Sequence, residues 1–117
     1  MAIKSISWMD EKKLDWRKVS QDEVDEAYAL HKLFVNGKSG GKRMNFSMAD
    51  LSYLNLSKYD LSNSELTGCR LHETNLNEAI LVSANLFSAD FRKASLRGAD
   101  LSKADIRGAS LRGADLT

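Results

Sequence analysis

An apolar residue stands at every fifth position from Phe46 onward, without interruption. We call the members of this series central residues; they are Phe46, Leu51, Leu56, Leu61, Leu66, Leu71, Leu76, Leu81, Leu86, Phe91, Leu96, Leu101, Ile106, Leu111 and Leu116. Steps of five turn about 140° around an α-helix and would scatter these side chains over its whole circumference. In a flat sheet, an odd step would put successive members on opposite faces. The pattern therefore predicts a chain that bends once every five residues, so that each central residue points toward a common axis.

The neighbours of the central residues support this bend. The position two before the centre is alanine in every repeat from Ala79 onward, which suits a place close to the axis. The position just before the centre is mostly Asp or Asn, whose side chains tolerate turns and bond nearby backbone. Glycine often stands two after the centre, where a corner can require unusual dihedrals, as at Gly68, Gly98, Gly108 and Gly113.

The motif A-[D/N]-L-x-x resembles the pentapeptide-repeat family. It is intact in Ala84-Asn85-Leu86-Phe87-Ser88 and in Ala99-Asp100-Leu101-Ser102-Lys103, and the resemblance covers residues 44–117. The resemblance implies an all-β solenoid, a right-handed quadrilateral β-helix in which four pentapeptides form one coil of twenty residues. Residues 44–117 would then form about 3.7 coils.

Residues 1–43 form a separate N-terminal segment in this interpretation. Residues 1–19 have no clean period, and we expect a short extended or one-turn helical piece that lies against the next element. A helix over about residues 20–35 is predicted, because Ser20 and Glu23 form a capping-box pattern and Asn36-Gly37 is a helix stop. We expect this amphipathic helix to cap the first coil with its apolar stripe, which consists of Val24, Ala27, Tyr28, His31, Phe34 and Val35.

Residues 36–43 are rich in glycine and include Gly37-Lys38-Ser39, which suggests a phosphate-binding loop. That motif needs an earlier glycine, but Leu33 and Lys32 stand where it would be, so we interpret the segment as a flexible linker. The run 31–46 also resembles the leader that precedes the first repeat in bacterial and phage-encoded members of the family. This second resemblance implies a bacterial protein.

Composition argues against several function classes. The chain has 117 residues, 28% of them charged, with a net charge of +1 and one cysteine. No secretory or membrane segment is evident, so we expect a cytoplasmic protein. Cys69 falls at the inward position two before Leu71, so we expect it to be a small buried side chain. Cys69-x-x-His72 has no second pair of ligands, so we expect no metal or cofactor to be bound. His31 is expected to pack against the first coil, and no nucleophile, base and acid set indicates an enzyme.

A compact apolar surface patch is predicted once residues twenty apart are stacked. Ile80 then lies between Asp60 and Asp100, and Val82 lies in a column that is otherwise serine. Phe87 points outward just past the next corner. Because three neighbouring apolar residues occupy positions that are polar elsewhere, we predict a partner-binding surface at Ile80, Val82 and Phe87.

Four arginines, Arg92, Arg97, Arg107 and Arg112, point outward in the later repeats. Arg92 and Arg112 stack one coil apart, and both are included among the predicted partner-binding residues. Neighbouring aspartates neutralise much of this charge, and no aromatic row accompanies it, so nucleic-acid binding is not expected.

The resemblance implies a non-enzymatic protein-binding or scaffold module. The alternative is a DNA-mimicking binder of DNA gyrase, similar to quinolone-resistance members of the family. That role depends on strong negative charge, whereas residues 44–117 hold nine acidic and eight basic residues. A last layer without a cover predicts either a longer natural protein or an end-to-end homodimer through Leu101, Ile106, Leu111 and Leu116.

Overall fold

The computed structural model describes residues 17–117, so the interpretation of the first sixteen residues lies outside the described part. Three regular elements occur in this range: strand β1 (Arg17–Lys18), helix α1 (Gln21–Val35) and strand β2 (Ala49–Asp50). β1 and β2 pair in parallel, with Arg17 beside Ala49 and Lys18 beside Asp50. The rest of the repeat region consists of short bridges and turns.

Stacked coils of twenty residues form the repeat region. Every bridge outside β1 and β2 is parallel and joins residues twenty apart, from Asn45 with Glu65 to Ser95 with Asp115. Backbone hydrogen bonds join each coil to the next. In the example at Leu81 there are three: the Leu81 N–H donates to the Asp100 carbonyl at 2.7 Å, the Asp100 N–H donates to the Ala79 carbonyl at 2.9 Å, and the Ser83 N–H donates to the Ser102 carbonyl at 2.9 Å. The chain therefore returns to the same side after every four pentapeptides, as the resemblance to pentapeptide repeats implied.

The corners between sides have one repeated geometry. In the example at Leu81, the Ala84 N–H donates to the Leu81 carbonyl at 3.1 Å, and Ser83 between them has a φ of 60°. Positive φ recurs two residues after the central residue at Gly68 and the other predicted glycines, and also at ten non-glycine residues. The prediction of unusual dihedrals at this position is confirmed, and it extends beyond glycine.

The Asp and Asn side chains brace these corners. The Asp100 carboxylate accepts the Ser102 N–H at 2.9 Å, and the Asn85 amide oxygen accepts the Phe87 N–H at 3.2 Å. These are local side-chain to backbone bonds across two residues, as expected for Asx turns. The sequence pattern and the corner geometry therefore have a common physical cause.

The central residues and the small residues beside them form one continuous core. Central leucines from Leu51 to Leu96 are almost completely buried, and Phe91 is the largest buried side chain. The alanines from Ala79 to Ala94 fill the spaces near the axis, and Cys69 replaces an alanine there, as predicted.

Helix α1 begins and ends where the sequence predicted. The Ser20 hydroxyl accepts the Glu23 N–H at 3.1 Å, but the Glu23 carboxylate pairs with Arg17 at 2.6 Å, so only half of the capping box is shown. Val24 and His31 are buried, whereas Phe34 is 40% exposed. The predicted stripe is therefore wrong at Phe34: Gly41 of the returning chain packs against its backbone, and its side chain stays exposed.

The glycine-rich segment after α1 is a folded turn rather than the flexible linker that the sequence suggested. The Lys38 N–H donates to the Leu33 carbonyl at 2.8 Å, and the Lys42 N–H donates to the Leu30 carbonyl at 3.0 Å. Gly41 is required by close packing, since a Cβ there would lie 2.3 Å from the Phe34 backbone nitrogen. These contacts direct the chain from α1 into the first coil.

Side chains of α1 bond directly to the first coil. His31 is fully buried; its Nδ1 accepts the Met44 N–H at 2.8 Å, and its Nε2 lies 3.0 Å from the Ser62 carbonyl. Because Nδ1 accepts, the neutral ring carries its proton on Nε2 and donates it to Ser62. Burial lowers the pKa of His31 below its usual value. His31 is thus a packed, hydrogen-bonded side chain, as the sequence indicated.

Candidate protein-binding surface

Ile80 interrupts a column of hydrogen-bonding side chains on one side of the β-helix. It forms bridges with Asp60 in the preceding coil and Asp100 in the following one, so the three side chains stack. The Asp60 carboxylate accepts the Ser62 N–H at 3.1 Å and the Ser62 hydroxyl at 2.6 Å. Ile80 offers no acceptor for the corresponding N–H of Val82. Ile80 is 38% exposed, and Val82 is half-buried.

Phe87 lies on the next side, after the corner at Ser83, and is 43% exposed. The Arg107 guanidinium carbon lies 5.6 Å from the centre of the Phe87 ring, within the range of a cation–π contact. Arg107 also forms a bidentate pair with Asp105, with nitrogen-to-oxygen distances of 2.9 and 2.7 Å. These hydrogen bonds from Arg107 lower the pKa of Asp105 to about 2. Phe87 therefore exposes an aromatic ring that contacts Arg107, and Arg107 is held in place by its pair with Asp105.

Sequence reasoning named Arg107 but missed its contact with Phe87. The signal was present, because the twenty-residue period places residue 107 directly after residue 87 in one column. The sequence analysis also missed Tyr53. This ring packs edge-on against His72 at 5.6 Å between ring centres and lies beneath the Lys18 ammonium. Tyr53 stands at a corner position where every later repeat carries a charged residue, Asn, Ser or Gly, and that departure was the available signal.

The outward arginines are largely paired with aspartates. Arg92 forms a bidentate pair with Asp90 at 2.9 and 2.8 Å, and this contact lowers the pKa of Asp90. Arg97 lies 3.9 Å from Asp115. Arg112, in the same column as Arg92, has no ion pair within residues 17–117. Arg92 and Arg112 directly follow Leu or Phe residues next to Asp90 and Ser110, which bridge in a column separate from that of Ile80, so they lie on a different side of the β-helix.

The last layer of central residues is less buried than the layers before it. Ile106 is 40% exposed and Leu116 is 54% exposed, whereas Leu101 and Leu111 are half-buried. The residues one coil earlier, Leu81, Leu86, Phe91 and Leu96, are at most 2% exposed. The difference arises because the described residues contain no coil stacked beyond this layer.

Reactive chemistry has little support in residues 17–117. Burial raises the pKa of the Cys69 thiol to about 12, so this thiol is not a nucleophile near neutral pH. His72 Nε2 lies 3.4 Å from the Glu73 carboxylate, away from the core that holds Cys69. No cluster of three or more His, Cys, Asp or Glu side chains suited to a metal ion occurs in this range. No helix in the same range has the length and apolar character needed to cross a membrane.

Comparison with solved structures shows similar proteins in cyanobacteria. The chain is 32% identical to Rfr23, a pentapeptide repeat protein from Cyanothece 51142, over 65% of this chain and 52% of Rfr23, with a TM-score of 0.62. It is 34% identical to alr5209, a pentapeptide repeat protein from Nostoc PCC 7120, over 75% of this chain and 73% of that protein, with a TM-score of 0.40. This chain thus spans about half the length of Rfr23.

The family comparison covers most of the chain. No curated protein sequence matches this chain. The profile for pentapeptide repeats matches residues 45–82 and 79–117 with eight copies of the repeat. These matches coincide with the ladder of bridges that begins at Asn45 and ends at Asp115. The chain therefore belongs to the pentapeptide-repeat family.

Proposed function

We propose that this protein is a non-enzymatic protein-binding module, and that Ile80, Val82 and Phe87 form its main contact surface. The observation that carries the proposal is the replacement of a hydrogen-bonding column by apolar side chains at Ile80 and Val82. The regular repeat uses Asp60 with Ser62 and Asp100 with Ser102 at these positions. Family membership supports the coarser statement, because pentapeptide-repeat proteins are generally structural modules without enzymatic activity.

The charges around Ile80 favour a partner of defined chemistry. Hydrogen bonds from Ser102 lower the pKa of Asp100, so this carboxylate stays charged near neutral pH. The Asp60 carboxylate lies on the other side of Ile80 in the same column. A protein segment with an apolar side chain flanked by lysine or arginine would match this surface, burying its apolar group on Ile80 between two carboxylates. Arg92 and Arg112 would form a second, separate contact.

The rival proposal is a DNA-mimicking gyrase binder. The repeat region is almost neutral, with nine acidic and eight basic residues, and three of its arginines pair with aspartates. Mimicry of DNA relies on a continuous negative field, which this distribution does not supply. We therefore prefer the apolar surface as the functional feature.

Several finer features belong to the same proposal. We propose about 3.7 right-handed coils over residues 44–117, with α1 as the cap of the first coil. We also propose that the layer of Leu101, Ile106, Leu111 and Leu116 contacts a second copy of the chain end to end. A cytoplasmic location is proposed from the single buried cysteine, because a reducing compartment leaves such a thiol free.

The test replaces the patch with the repeat's own residues. The double substitution Ile80→Asn and Val82→Ser restores the acceptor and the serine found in neighbouring coils, so the fold should be retained. Among the peptides of an immobilised library, those that combine apolar and basic residues should bind the wild type. We expect the double substitution to weaken the capture of these peptides by at least about tenfold. The measurement is enrichment from the library, followed by titration of the selected peptides.

A matched control is the pair Asn75→Ala and Asn77→Ala, which changes the same two positions on another side. Equal binding by the wild type and the patch variant would contradict the proposal. Inhibition of gyrase supercoiling by the wild type, undiminished in the patch variant, would instead favour the rival.

A further inference from the structure

Two arginines of the later coils show how this fold holds a carboxylate. The Asp90 carboxylate accepts the Arg92 backbone N–H at 3.0 Å, and it also accepts the Arg92 Nε and Nη2 at 2.9 and 2.8 Å. Asp105 holds Arg107 in the same way, with distances of 3.1, 2.9 and 2.7 Å. One backbone donor and two guanidinium donors therefore close on a carboxylate two residues earlier. Bidentate, charge-assisted hydrogen bonds of this kind are among the stronger ones in proteins.

Arg112 carries the same three donors without that carboxylate. Ser110 forms a bridge with Asp90, so it stands in the same column one coil later, and Arg112 follows it as Arg92 follows Asp90. The Arg112 N–H, the Arg112 guanidinium and the Ser110 hydroxyl have no hydrogen-bond partner within residues 17–117. Arg112 is exposed and Ser110 is half-buried. The donors that hold a carboxylate elsewhere are therefore available to an acceptor from outside.

Arg97 shows that a serine in place of the aspartate does not by itself leave these donors without a partner. Ser95 also stands two residues before an arginine, but the Asn77 amide oxygen of the preceding coil accepts the Arg97 N–H at 3.0 Å and the Ser95 hydroxyl as well. For Arg112, the corresponding residue of the preceding coil is Arg92, whose side chain has no acceptor. The donors at Arg112 are therefore left over because two substitutions coincide in one column.

A second cation lies beside these donors. A Cβ added at Gly113 would lie 3.3 Å from the Lys93 Cγ, so the lysine stem covers the residue that follows Arg112. The Lys93 N–H also donates to the Arg112 carbonyl at 3.0 Å. Neither Lys93 nor Arg112 takes part in an ion pair in the described part of the chain. The adjacent carboxylate in the column, Asp90, is already paired with Arg92, so the local charge favours an anion.

We propose that Ser110 and Arg112 form a binding site for a carboxylate group, presented by an acidic side chain of a protein partner. The carboxylate takes the place relative to Arg112 that the Asp90 carboxylate takes relative to Arg92, and it also accepts the Ser110 hydroxyl. A carboxylate is the matching anion because the same three donors hold carboxylates in both established examples. The assignment of this carboxylate to a protein rests on the protein-binding function proposed above, whereas the site itself does not.

An NMR titration of the full chain with the capped peptide acetyl-Gly-Asp-Gly-amide tests the site. We expect the backbone N–H and Nε–H signals of Arg112 to shift and to saturate, because both donors gain an acceptor. The signals of Arg92 and Arg107 should not move, since their own aspartates already occupy the same donors. The neutral peptide acetyl-Gly-Asn-Gly-amide is the matched probe, and we expect it to bind at least about tenfold more weakly.

Ser110→Asp is the main test variant. It gives position 110 the residue that the repeat carries at Asp90 and Asp105, so the fold should be retained while Arg112 pairs with its own aspartate. We expect the affinity for the Asp peptide to fall by at least about tenfold. Ser95→Asp is the matched control, because it changes the equivalent serine and should leave the affinity unchanged. If Ser110→Asp does not fold, Arg112→Gln removes the guanidinium and should cause the same loss.

Equal affinity in the wild type, Ser110→Asp and Arg112→Gln would overturn the proposal. Shifts at Arg92 and Arg107 as large as those at Arg112 would also overturn it, because they would indicate general charge screening. Tighter binding of inorganic phosphate than of the Asp peptide would overturn the choice of a carboxylate. The variant with Ile80→Asn and Val82→Ser should bind the Asp peptide like the wild type, so failure of the apolar surface and failure of this site are distinguishable.

Discussion

The two ends of the repeat region contain the same kind of residue in different surroundings. Near α1, Leu51 and Leu61 are completely buried, and polar side chains of the helix bond the backbone of the first coil. In the last layer, Ile106 and Leu116 hold the same position in the repeat, yet about half of each side chain is exposed. Burial in this fold is therefore a property of the neighbouring layer and not of the repeat itself.

The largest expected change in the free energy of unfolding comes from truncating a central residue of a middle layer, compared with the same truncation in the last layer. Leu81→Ala should lower the free energy of unfolding by about 2–5 kcal/mol, because it leaves a cavity between two coils. Leu116→Ala should cost less than about 1 kcal/mol, because that side chain is largely solvated already. Urea unfolding of both variants checks the contrast. Equal losses would show that burial in the last layer is supplied by something outside the described residues.

An intermediate loss of stability is expected where His31 of α1 contacts the first coil. His31 is neutral in the fold and its pKa is lowered, so its contribution to stability is complete above the ordinary value of 6.5 and is lost as the pH falls below it. The loss should approach about 1.4 kcal/mol per pH unit until the folded pKa is reached. The groups facing His31 are Asp60, which opposes this shift, and Arg43, which adds to it.

The measurement is the free energy of unfolding between pH 6.5 and pH 5, compared with the variant His31→Gln. That variant cannot titrate in this range and should show a flat profile. The aspartates with resolved shifts, such as Asp50 and Asp90, have lowered pKa values and titrate below this window. A wild-type profile as flat as that of the variant would show that His31 does not couple α1 to the first coil.

The smallest effect concerns association through the last layer. Leu116→Asp should abolish a dimer while leaving the unfolding free energy almost unchanged, because a carboxylate at an exposed site costs little in the monomer but much in an apolar contact. Multi-angle light scattering over a range of concentrations checks this. The double substitution Ile80→Asn and Val82→Ser serves as the control and should keep the dimer. A wild-type monomer at every concentration would contradict the proposed contact.

The sequence determined the repeat unit and nearly all of its chemistry. A strict five-residue period can be satisfied only if every fifth side chain faces one axis, and the resemblance to pentapeptide repeats supplied the twenty-residue coil. From these two facts followed the buried Cys69, the braced corners and the stacking of Ile80 between Asp60 and Asp100. The residues of the candidate surface were identifiable because they depart from the repeat.

Tertiary structure alone decided how the layers are covered. Which side chains close the edge of the first coil depends on contacts across more than thirty residues, as between Gln21 and Asn55 or Tyr28 and Asp60. The apolar spacing along the sequence of α1 cannot reveal these long-range contacts. That spacing also wrongly included Phe34, whose backbone, and not its side chain, faces the returning glycine-rich segment. The period specifies which way each side chain points, whereas the exposure of that side chain is set by the layer stacked next to it.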